Sequence, residues 1–464
     1  MKNLKRRFYN FIFGTDEPRF RKYLQRVLKD EFHTHPIKID SLSIIFFIGR
    51  WLPFAIAVGI TTGVIASVVD LLVVSINSKL SENLVYLFIY PLFVALITGM
   101  IIKQDREVAG PGIGFSILHL KSKHYLKIKA LVLKLFVSVL TLSGGFIAGR
   151  EGPSFYLGVG IGEWVGRAYG FGKRFKNMLG LIGAGSFTGA LLKAPLGSSI
   201  FALELENMYD FNYRPFIPMI VASIMSYLTF SFFRGNHAFI LLHSEAVWNL
   251  QSIPYIIAMG FIISVTIYLY TIFFHFLRKA AYIFRPEKRA FIGTLISLPF
   301  LLFLYLYTNN ADLLAAPVDM RILSNLAQTQ FSVSEDIVII VCTLIITSFT
   351  LGFGIVGGLI LPVLIIGASL GNIFGHVFPH ELVMFTLAGM GAALAAAAKT
   401  PLAAIVMITE MSHSDVVIPM TAAVITSYLA SFGYSLYLGQ ENIFKGSLKD
   451  FRSYRIKPEE DKKL

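Results

Sequence analysis

Long apolar stretches recur along almost the whole chain, separated by short polar segments. Many approach the ~20 residues that an α-helix needs to cross a bilayer. Several are interrupted by Gly or Pro, which break or bend helices, so the pattern predicts complete helices together with tilted and partial ones. We therefore expect an all-α polytopic membrane protein. The apolar stretches are 44–64, 85–102, 128–148, 215–233, 252–276, 291–307, 337–350, 355–376 and 414–438.

The composition excludes a soluble enzyme of this length, because 55% of the residues are hydrophobic, 15% are charged and the mean hydropathy is +0.66. The net charge of +13 does not indicate nucleic-acid binding, since the basic residues lie at the two ends and in short loops and not along one face. Basic termini are typical of cytoplasmic flanks. We predict a multi-pass protein of the lipid bilayer, in a cell membrane such as a prokaryotic inner membrane, with cytoplasmic termini.

An internal repeat aligns without a gap. The segment 183–204, "GAGSFTGALLKAPLGSSIFALE", matches 389–410, "GMGAALAAAAKTPLAAIVMITE". Both copies contain Lys-x-Pro-Leu, and both have a glutamate nine residues after the proline, Glu204 and Glu410. This combination indicates two related halves.

A glycine-rich break of the form G-x-x-x-P precedes each copy of the repeat, at 149–153 and 358–362. Many secondary transporters consist of two halves of inverted topology with broken helices at equivalent positions, and we infer that arrangement here. The tail is too short for a regulatory domain. The predicted organisation is a cytoplasmic segment 1–40, a first transmembrane half 41–235, a second half 236–440 and a cytoplasmic tail 441–464.

Three glycine-rich breaks, in 109–120, 148–160 and 354–367, are each followed directly by an apolar helical run. A helix that starts inside the membrane presents free N–H groups and a positive dipole end, which together bind anions. We predict that the three starts converge on one small anion. The alternative is that the glycines only allow close helix packing. We favour packing for "GVGIGEWVG" (158–166), which has the glycine spacing of a dinucleotide-binding loop but no preceding strand.

The sequence offers little for other chemistry. Cys342 is the only cysteine and lies in an apolar run, so no disulfide within the chain is expected. His33 and His35 have a spacing that suits metal ligands, but no further ligands accompany them. An intramembrane enzyme would need a nucleophile or a metal cluster on facing helices, and the pattern gives neither. We predict no catalytic residue, no metal site and no cofactor.

The motifs "GPGIG", "GREGP" and "GGLILP", in this order and together with "KAPL" and "KTPL", resemble the signature motifs of the CLC chloride channel and transporter family. The resemblance covers nearly all of residues 40–450. It implies a homodimer with a pore in each subunit, built from many tilted and partial helices in two inverted halves. Chloride is the default ion, other small anions are alternatives, and some members of the family also carry protons.

The resemblance assigns Glu151 of "GREGP" as a protonatable gate that occupies the anion site when ionised. Arg150 is a poor ion-pair partner for Glu151, because adjacent residues on a helix do not face each other. The alternative for Glu151 is a buried carboxylate neutralised by another group. The anion-binding residues implied by the resemblance are Gly110, Pro111, Gly112, Ile113, Gly149, Arg150, Gly152, Leu359, Ile360 and Phe444.

Two departures from the family pattern concern the anion. Pro111 replaces the serine that contacts the inner anion, which removes a hydroxyl and an N–H donor and leaves a preference for nitrate open. Phe444 aligns with the central tyrosine and has no hydroxyl to bond the ion. Leu359 and Ile360 replace an Ile-Phe pair whose contribution is backbone N–H groups, so this change should matter less.

A third departure concerns protons. Leu205 stands where proton-coupled members have a second glutamate, and leucine cannot carry a proton. Glu206 would replace it only if the helix were rotated by about 100° or bulged, and Glu204 fits a structural carboxylate at a helix interface. Glu204, Leu205 and Glu206 are thus the candidate proton-pathway positions. These changes favour passive, channel-like conduction, with proton-coupled chloride or nitrate antiport as the alternative.

Overall fold

The computed structural model describes residues 37–437 except 82, 123, 207–212, 310–320 and 432. This part of the chain contains sixteen α-helices and no β-strand, so the predicted all-α class is confirmed. The helices are α1 (Ile37–Leu80), α2 (Leu84–Gln104), α3 (Ile113–Leu120), α4 (Ile128–Leu142), α5 (Glu151–Ala168), α6 (Lys176–Leu191), α7 (Pro195–Glu206), α8 (Tyr213–Arg234), α9 (Ile253–Ala280), α10 (Pro286–Thr308), α11 (Arg321–Gln328), α12 (Val333–Thr350), α13 (Ile360–Gly375), α14 (Leu382–Ala398), α15 (Pro401–Ser412) and α16 (Val417–Ala430).

The protein is an integral membrane protein with several passes. Six helical segments among the described residues are long and apolar enough to cross a bilayer, and large apolar side chains such as Phe232 and Leu429 remain exposed on outer helices, as lipid contact requires. The six segments are Trp51–Leu80, Pro215–Arg234, Leu250–Ile283, Pro286–Thr308, Val333–Thr350 and Pro379–Ala398.

Two predicted apolar spans are shorter as helices than the sequence pattern suggested. The stretch 128–148 is helical only to Leu142, because Gly144 and Gly145 have φ values of 153° and 73°, which end the helix. The stretch 355–376 becomes helical only at Ile360, after Gly354 with a φ of 107°. The helices are shorter than the apolar stretches because non-helical backbone enters the protein interior there, in line with the interruption by glycine that the sequence predicted.

The described helices form two inverted halves of eight, α1–α8 and α9–α16. The third helix of each half has 8 residues and the seventh has 12. In both halves the fifth helix packs on the sixth, and the sixth on the first and the eighth. Gly149 and Gly358, which are equivalent in the two halves, form an antiparallel bridge with N···O distances of 2.9 and 2.6 Å. The bridge thus joins equivalent residues of the two halves.

The two copies of the sequence repeat also bind each other. Glu204 at the end of α7 accepts hydrogen bonds from the N–H groups of Leu402 and Ala403 at the start of α15, at 3.2 and 2.8 Å. Glu410 on α15 makes the equivalent two bonds to the first turn of α7, at 3.1 and 2.7 Å. Each repeat therefore caps the helix N-terminus of the other.

Candidate functional site

The three glycine-rich breaks meet in the interior. Helices α3, α5 and α13 start directly after them, and in none of the three does the side chain of the N-cap residue itself bond the first turn. Gly152 lies where the breaks touch, because a Cβ atom there would stand 2.2 Å from the Pro111 carbonyl oxygen and 2.8 Å from that of Gly357. The three helix N-termini that the sequence predicted to be close are therefore in contact, with free backbone donors at their first turns.

Glu151 is the first residue of α5, and its side chain extends to the start of α13. Its side chain is buried, and Oε1 accepts a hydrogen bond from the Ile360 N–H at 2.5 Å. The space around the carboxylate depends on glycines, because a Cβ on Gly149 or Gly358 would lie 2.0 or 1.9 Å from one of its oxygens. A carboxylate at a helix N-terminus is itself a bound anion, so Glu151 fills a seat that a small inorganic anion would suit.

Arg150, the neighbour of Glu151 in the sequence, has a different partner. Its guanidinium donates to Asp70 Oδ1 at 2.6 Å, and Arg234 donates to Asp70 Oδ2 at the same distance. Asp70 is buried on α1 and thus joins two arginines from different helices. This agrees with the expectation that Arg150 does not neutralise Glu151. Sequence reasoning missed Asp70, whose signal is that it is the single acid in the long apolar segment Trp51–Leu80.

Lys134 supports the Gly110 turn and was also missed. It is completely buried on α4, and its Nζ donates to the carbonyl oxygens of Val108 and Gly110, both at 2.7 Å. The Gly110 N–H donates in turn to the Gly354 carbonyl oxygen at 3.0 Å, which links this break to the one before α13. The signal in the sequence is a lysine inside the apolar run "IKALVLKLF".

A cleft beside the Gly110 turn has an empty volume of about 450 Å³. Pro111 and Gly354 line one part of it, and Arg278 and Arg289 line another. Arg289 lies over the Tyr282 ring, 4.3 Å from its centroid. The cleft therefore leads to the Pro111 side of the site past two basic side chains.

The three candidate proton positions lie at the end of α7. Leu205 is fully buried, and Glu204 is engaged by the first turn of α15. Glu206 accepts a hydrogen bond from the Asn177 side-chain amide. The helix runs without interruption to Glu206, so this carboxylate points about 100° away from the direction of Leu205. The rotation or bulge that Glu206 would need in order to replace the missing glutamate is not present.

Two tyrosines lie near Glu151 that the sequence did not single out. Tyr437 and Tyr270 are buried, and both are within electrostatic range of the Glu151 carboxylate. The Tyr270 hydroxyl forms a hydrogen bond with Thr347 Oγ1 at 2.8 Å. Phe444, which the alignment placed at the family's central tyrosine, lies outside the described residues. Tyr437 is thus the described aromatic residue from the end of the chain that approaches the site.

The remaining sequence features have structural explanations or fall elsewhere. Gly158 and Gly162 pack against the backbone of α6, since added Cβ atoms would lie 2.3 and 2.1 Å from carbonyl oxygens there, which is the close packing predicted for 158–166. Cys342 is buried. His33 and His35 lie outside the described residues, among which no cluster of three metal-ligating side chains occurs.

Comparison with protein families and sequences gives consistent matches. The family model described as "Voltage gated chloride channel" matches residues 94–431. An uncharacterized protein of Methanocaldococcus jannaschii is 25% identical over 381 residues, which cover 82% of this chain and 92% of that protein. The H(+)/Cl(−) exchange transporter ClcA of Yersinia pestis is 26% identical over 302 residues. That match covers 60% of each chain, which is less than two thirds of the length of the exchanger.

Solved structures with the same fold include a CLC-type fluoride/proton antiporter, with a TM-score of 0.73 and 18% identity, and a slow cyanobacterial Cl−/H+ antiporter, with a TM-score of 0.72 and 22% identity. Each comparison covers 88% of this chain and 99% of the other. At these identities the likeness concerns the fold, including its two inverted halves and its partial helices.

Proposed function

Because this chain belongs to the voltage-gated chloride channel family, the CLC family, whose members transport anions, we propose that it exchanges chloride or a related small anion for protons across the membrane. The observation that carries the proposal is the Glu151 carboxylate on the Ile360 N–H, at a point where the N-termini of α3, α5 and α13 meet. A titratable group in an anion seat makes the two ions compete for one place.

The proposed mechanism follows from this competition. When Glu151 is ionised, its carboxylate holds the seat at the start of α13 and the anion is excluded. When Glu151 binds a proton, it no longer gains from the helix dipole, and the side chain leaves while an anion enters. The seat consists of partial charges on peptide groups, which bind an anion strongly enough to dehydrate it yet allow it to leave. Of the predicted anion-binding residues, we propose that Gly110, Gly112, Gly149 and Gly152 permit the close approach, with N–H groups of Ile113, Leu359 and Ile360 as donors.

Exchange is better supported than the passive conduction that the sequence first favoured. That interpretation rested on Pro111, Phe444 and Leu205, the positions where family groups are missing. The relatives and the solved structures found by comparison include exchangers and antiporters by name. We therefore propose antiport as the main function, and passive conduction remains the second candidate because buried Leu205 cannot carry a proton.

The physiological setting is part of the proposal. We propose a homodimer with one anion pathway in each subunit, in a prokaryotic cell membrane with the termini in the cytoplasm. In that orientation the Gly110 turn and the cleft lined by Arg278 and Arg289 face the cytoplasm, and the pair of Asp70 and Arg150 lies toward the outside. Arg278 and Arg289 would then attract anions from the cytoplasm.

Reconstituted liposomes test the function. A pH gradient imposed across the membrane should drive chloride uphill, and the wild-type protein should move protons and chloride in a fixed ratio. Glu151→Gln should lose proton movement but keep anion flux, whereas Glu245→Gln, at an exposed glutamate in a loop, should leave both unchanged. Anion flux without any uphill movement would support passive conduction and refute exchange.

A further inference from the structure

Asp336 is a buried carboxyl group with no charged partner among the described residues. The residue is 0% exposed, and the Ser369 hydroxyl on α13 faces the carboxyl group, although no described donor lies within ordinary hydrogen-bond distance of either oxygen. Capping does not explain it, because Ser332 and Glu335 already form a complete capping box at the start of α12. An ionised carboxylate without a partner costs several kcal/mol in a dehydrated interior. The carboxyl group is therefore suited to holding a proton.

Other unpartnered polar groups continue from Asp336 along one face of α12. Positions 336, 343 and 347 lie within about 40° of each other around a helix, and all three residues are completely buried. The Thr343 hydroxyl has no partner among the described residues, and the Ser369 hydroxyl of α13 faces the Asp336 carboxyl group from beyond ordinary hydrogen-bond distance. Buried polar groups that lack protein partners are the sites where ordered water binds.

This polar face ends beside Glu151. Thr347 bonds the Tyr270 hydroxyl at 2.8 Å, and Tyr270 is within electrostatic range of the Glu151 carboxylate. Asp336 precedes Thr347 by eleven residues, which is about 16 Å along a helix. The distance along the helix from Asp336 to Thr343, about 10 Å by the same geometry, is too long for a direct hydrogen bond and requires bridging water. The face thus runs from Asp336, at the end of α12 far from the Gly110 turn, to the Tyr270 hydroxyl near Glu151.

Few charges act on Asp336. On its own helix, Glu335 is the charged residue within electrostatic range. The facing helix α13 has no titratable residue between Ile360 and Gly375. The charged residues of α9 and α10, such as Arg278 and Arg289, lie at the other end of α12, since Gly293 of α10 packs against Phe349. His376, directly after α13, bonds the Phe331 carbonyl oxygen before α12. No described cation, His376 included, acts on the Asp336 carboxyl group.

We propose that Asp336 is a second proton-binding site and that it exchanges protons with Glu151 through water bound along the Thr343 and Thr347 face. In each transfer the proton leaves the Asp336 carboxyl group, an equivalent proton reaches the Glu151 carboxylate, and Asp336 is reprotonated from the Val333 end of α12. Protons then reach the gate by a route separate from the anion seat. The transfer to Glu151 rests on the proposed exchange function, whereas proton binding by Asp336 does not.

The transport test compares variants in liposomes with chloride and proton movement recorded together. Asp336→Asn keeps the shape but cannot release a proton, so it should lower the proton-to-chloride ratio at least fivefold while chloride flux stays within twofold of wild type. Thr343→Val should lower the ratio by about twofold to threefold. Ser348→Ala is the matched control, because Ser348 is equally buried and unpartnered on α12 but lies about 120° around the helix from Asp336, and it should leave the ratio unchanged.

An unchanged ratio in Asp336→Asn would overturn the transfer route. An equal fall in chloride and proton flux would also overturn it, since that result indicates a structural role only. If Ser348→Ala lowered the proton-to-chloride ratio as much as Thr343→Val, proton transfer would not depend on which face of α12 is changed, and the proposed route would be refuted.

Infrared spectroscopy separates this proposal from the proposed function. In the Glu151→Gln background, which removes the signal of the gate, the carbonyl absorption of protonated carboxylic acids at neutral pH should lose intensity when Asp336→Asn is added, and any absorption that remains belongs to other carboxyl groups. If the band does not change, Asp336 holds no proton and the site is refuted, whatever the transport result. If the band loses intensity but the wild-type protein moves no protons, exchange and the route to Glu151 fail while the proton-binding site stands.

Discussion

Three glutamates in the described part of this protein, two of them buried and Glu410 half-buried, accept hydrogen bonds from a helix N-terminus of the opposite half, but they do so in two different ways. Glu204 and Glu410 each accept two backbone N–H groups from the opposite half of the molecule. Glu151 accepts one N–H from the other half, that of Ile360. The same electrostatic attraction thus produces a doubly bonded clamp at one place and a singly bonded occupant at another.

The surroundings widen the difference. Glu151 lies among glycines, where free N–H groups of three helix starts offer an anion an alternative to the carboxylate. Glu204 lies in the tight contact between α7 and α15, where Gly197 approaches so closely that a Cβ would stand 2.4 Å from the Met407 Cα. A carboxylate can act as a gate only where its departure leaves donors that another ion can satisfy.

The largest effect should come from breaking the clamp. Glu204→Ala leaves two N–H groups at the start of α15, that of Ala403 buried and that of Leu402 partly buried, without an acceptor. Two charge-assisted bonds of this kind contribute about 3 to 5 kcal/mol together. The denaturation midpoint of the purified protein should fall accordingly. Glu206→Ala, at the neighbouring glutamate that bonds an amide, should cost less than about 1 kcal/mol. Equal losses in the two variants would contradict the clamp.

A smaller but still large effect should come from filling the glycine space around the gate. In Gly358→Ala the new methyl group would overlap Glu151 Oε1, which lies 1.9 Å from the Cβ position. The carboxylate and the α13 start must then move apart, and a loss of about 2 to 3 kcal/mol of anion stabilisation corresponds to roughly a hundredfold lower flux. Gly172→Ala, where nothing lies within 4 Å of the new atom, is the control. Wild-type flux in Gly358→Ala would exclude this geometry from the anion path.

The contrast with Glu204 is sharpest in Glu151→Gln. Because only one N–H is involved and Gln can still accept it, the stability should change by less than about 1 kcal/mol. Flux should lose its pH dependence: the wild type should slow as pH rises and Glu151 ionises, by up to about tenfold per pH unit, since that is the change in the protonated fraction. Flux that slows with rising pH equally in the variant would remove Glu151 from the gate.

The smallest effect should come from the rim of the seat. Pro111→Ser restores a hydroxyl and an N–H donor next to the α3 start, without changing either class of glutamate. We expect the chloride-to-nitrate flux ratio to rise by about threefold to tenfold, in line with one neutral hydrogen bond of about 1 kcal/mol. Competition of the two anions in liposomes measures the ratio. No shift would mean that Pro111 does not contact the ion.

The sequence predicted the backbone parts of this arrangement well, because glycine and proline act locally. The breaks before Ile113, Glu151 and Ile360 were visible as glycine runs, and the repeat containing Glu204 and Glu410 was visible as an alignment. Their meeting in space required the structure, although the inverted repeat had already suggested it.

Contacts between distant side chains were not predictable from spacing. Asp70 reaches Arg150 across eighty residues, and Lys134 supports a turn more than twenty residues earlier in the chain. Nothing in the local pattern names such partners, although a single charged residue in an apolar helix indicates that a partner must exist. Asp336 follows Glu335 at the start of the apolar helix α12 and carries a related signal, and for it the described structure supplies no charged partner.

The mutual clamps of α7 and α15 have a consequence for how the molecule moves. A rigid-body rocking of one half against the other would rupture four N–H···O bonds at the clamps and two more between Gly149 and Gly358. Such a movement would therefore break the hydrogen bonds that hold the helix N-termini around Glu151 in place. Access to the two sides of the membrane is therefore expected to alternate through the swing of individual side chains within a stationary scaffold.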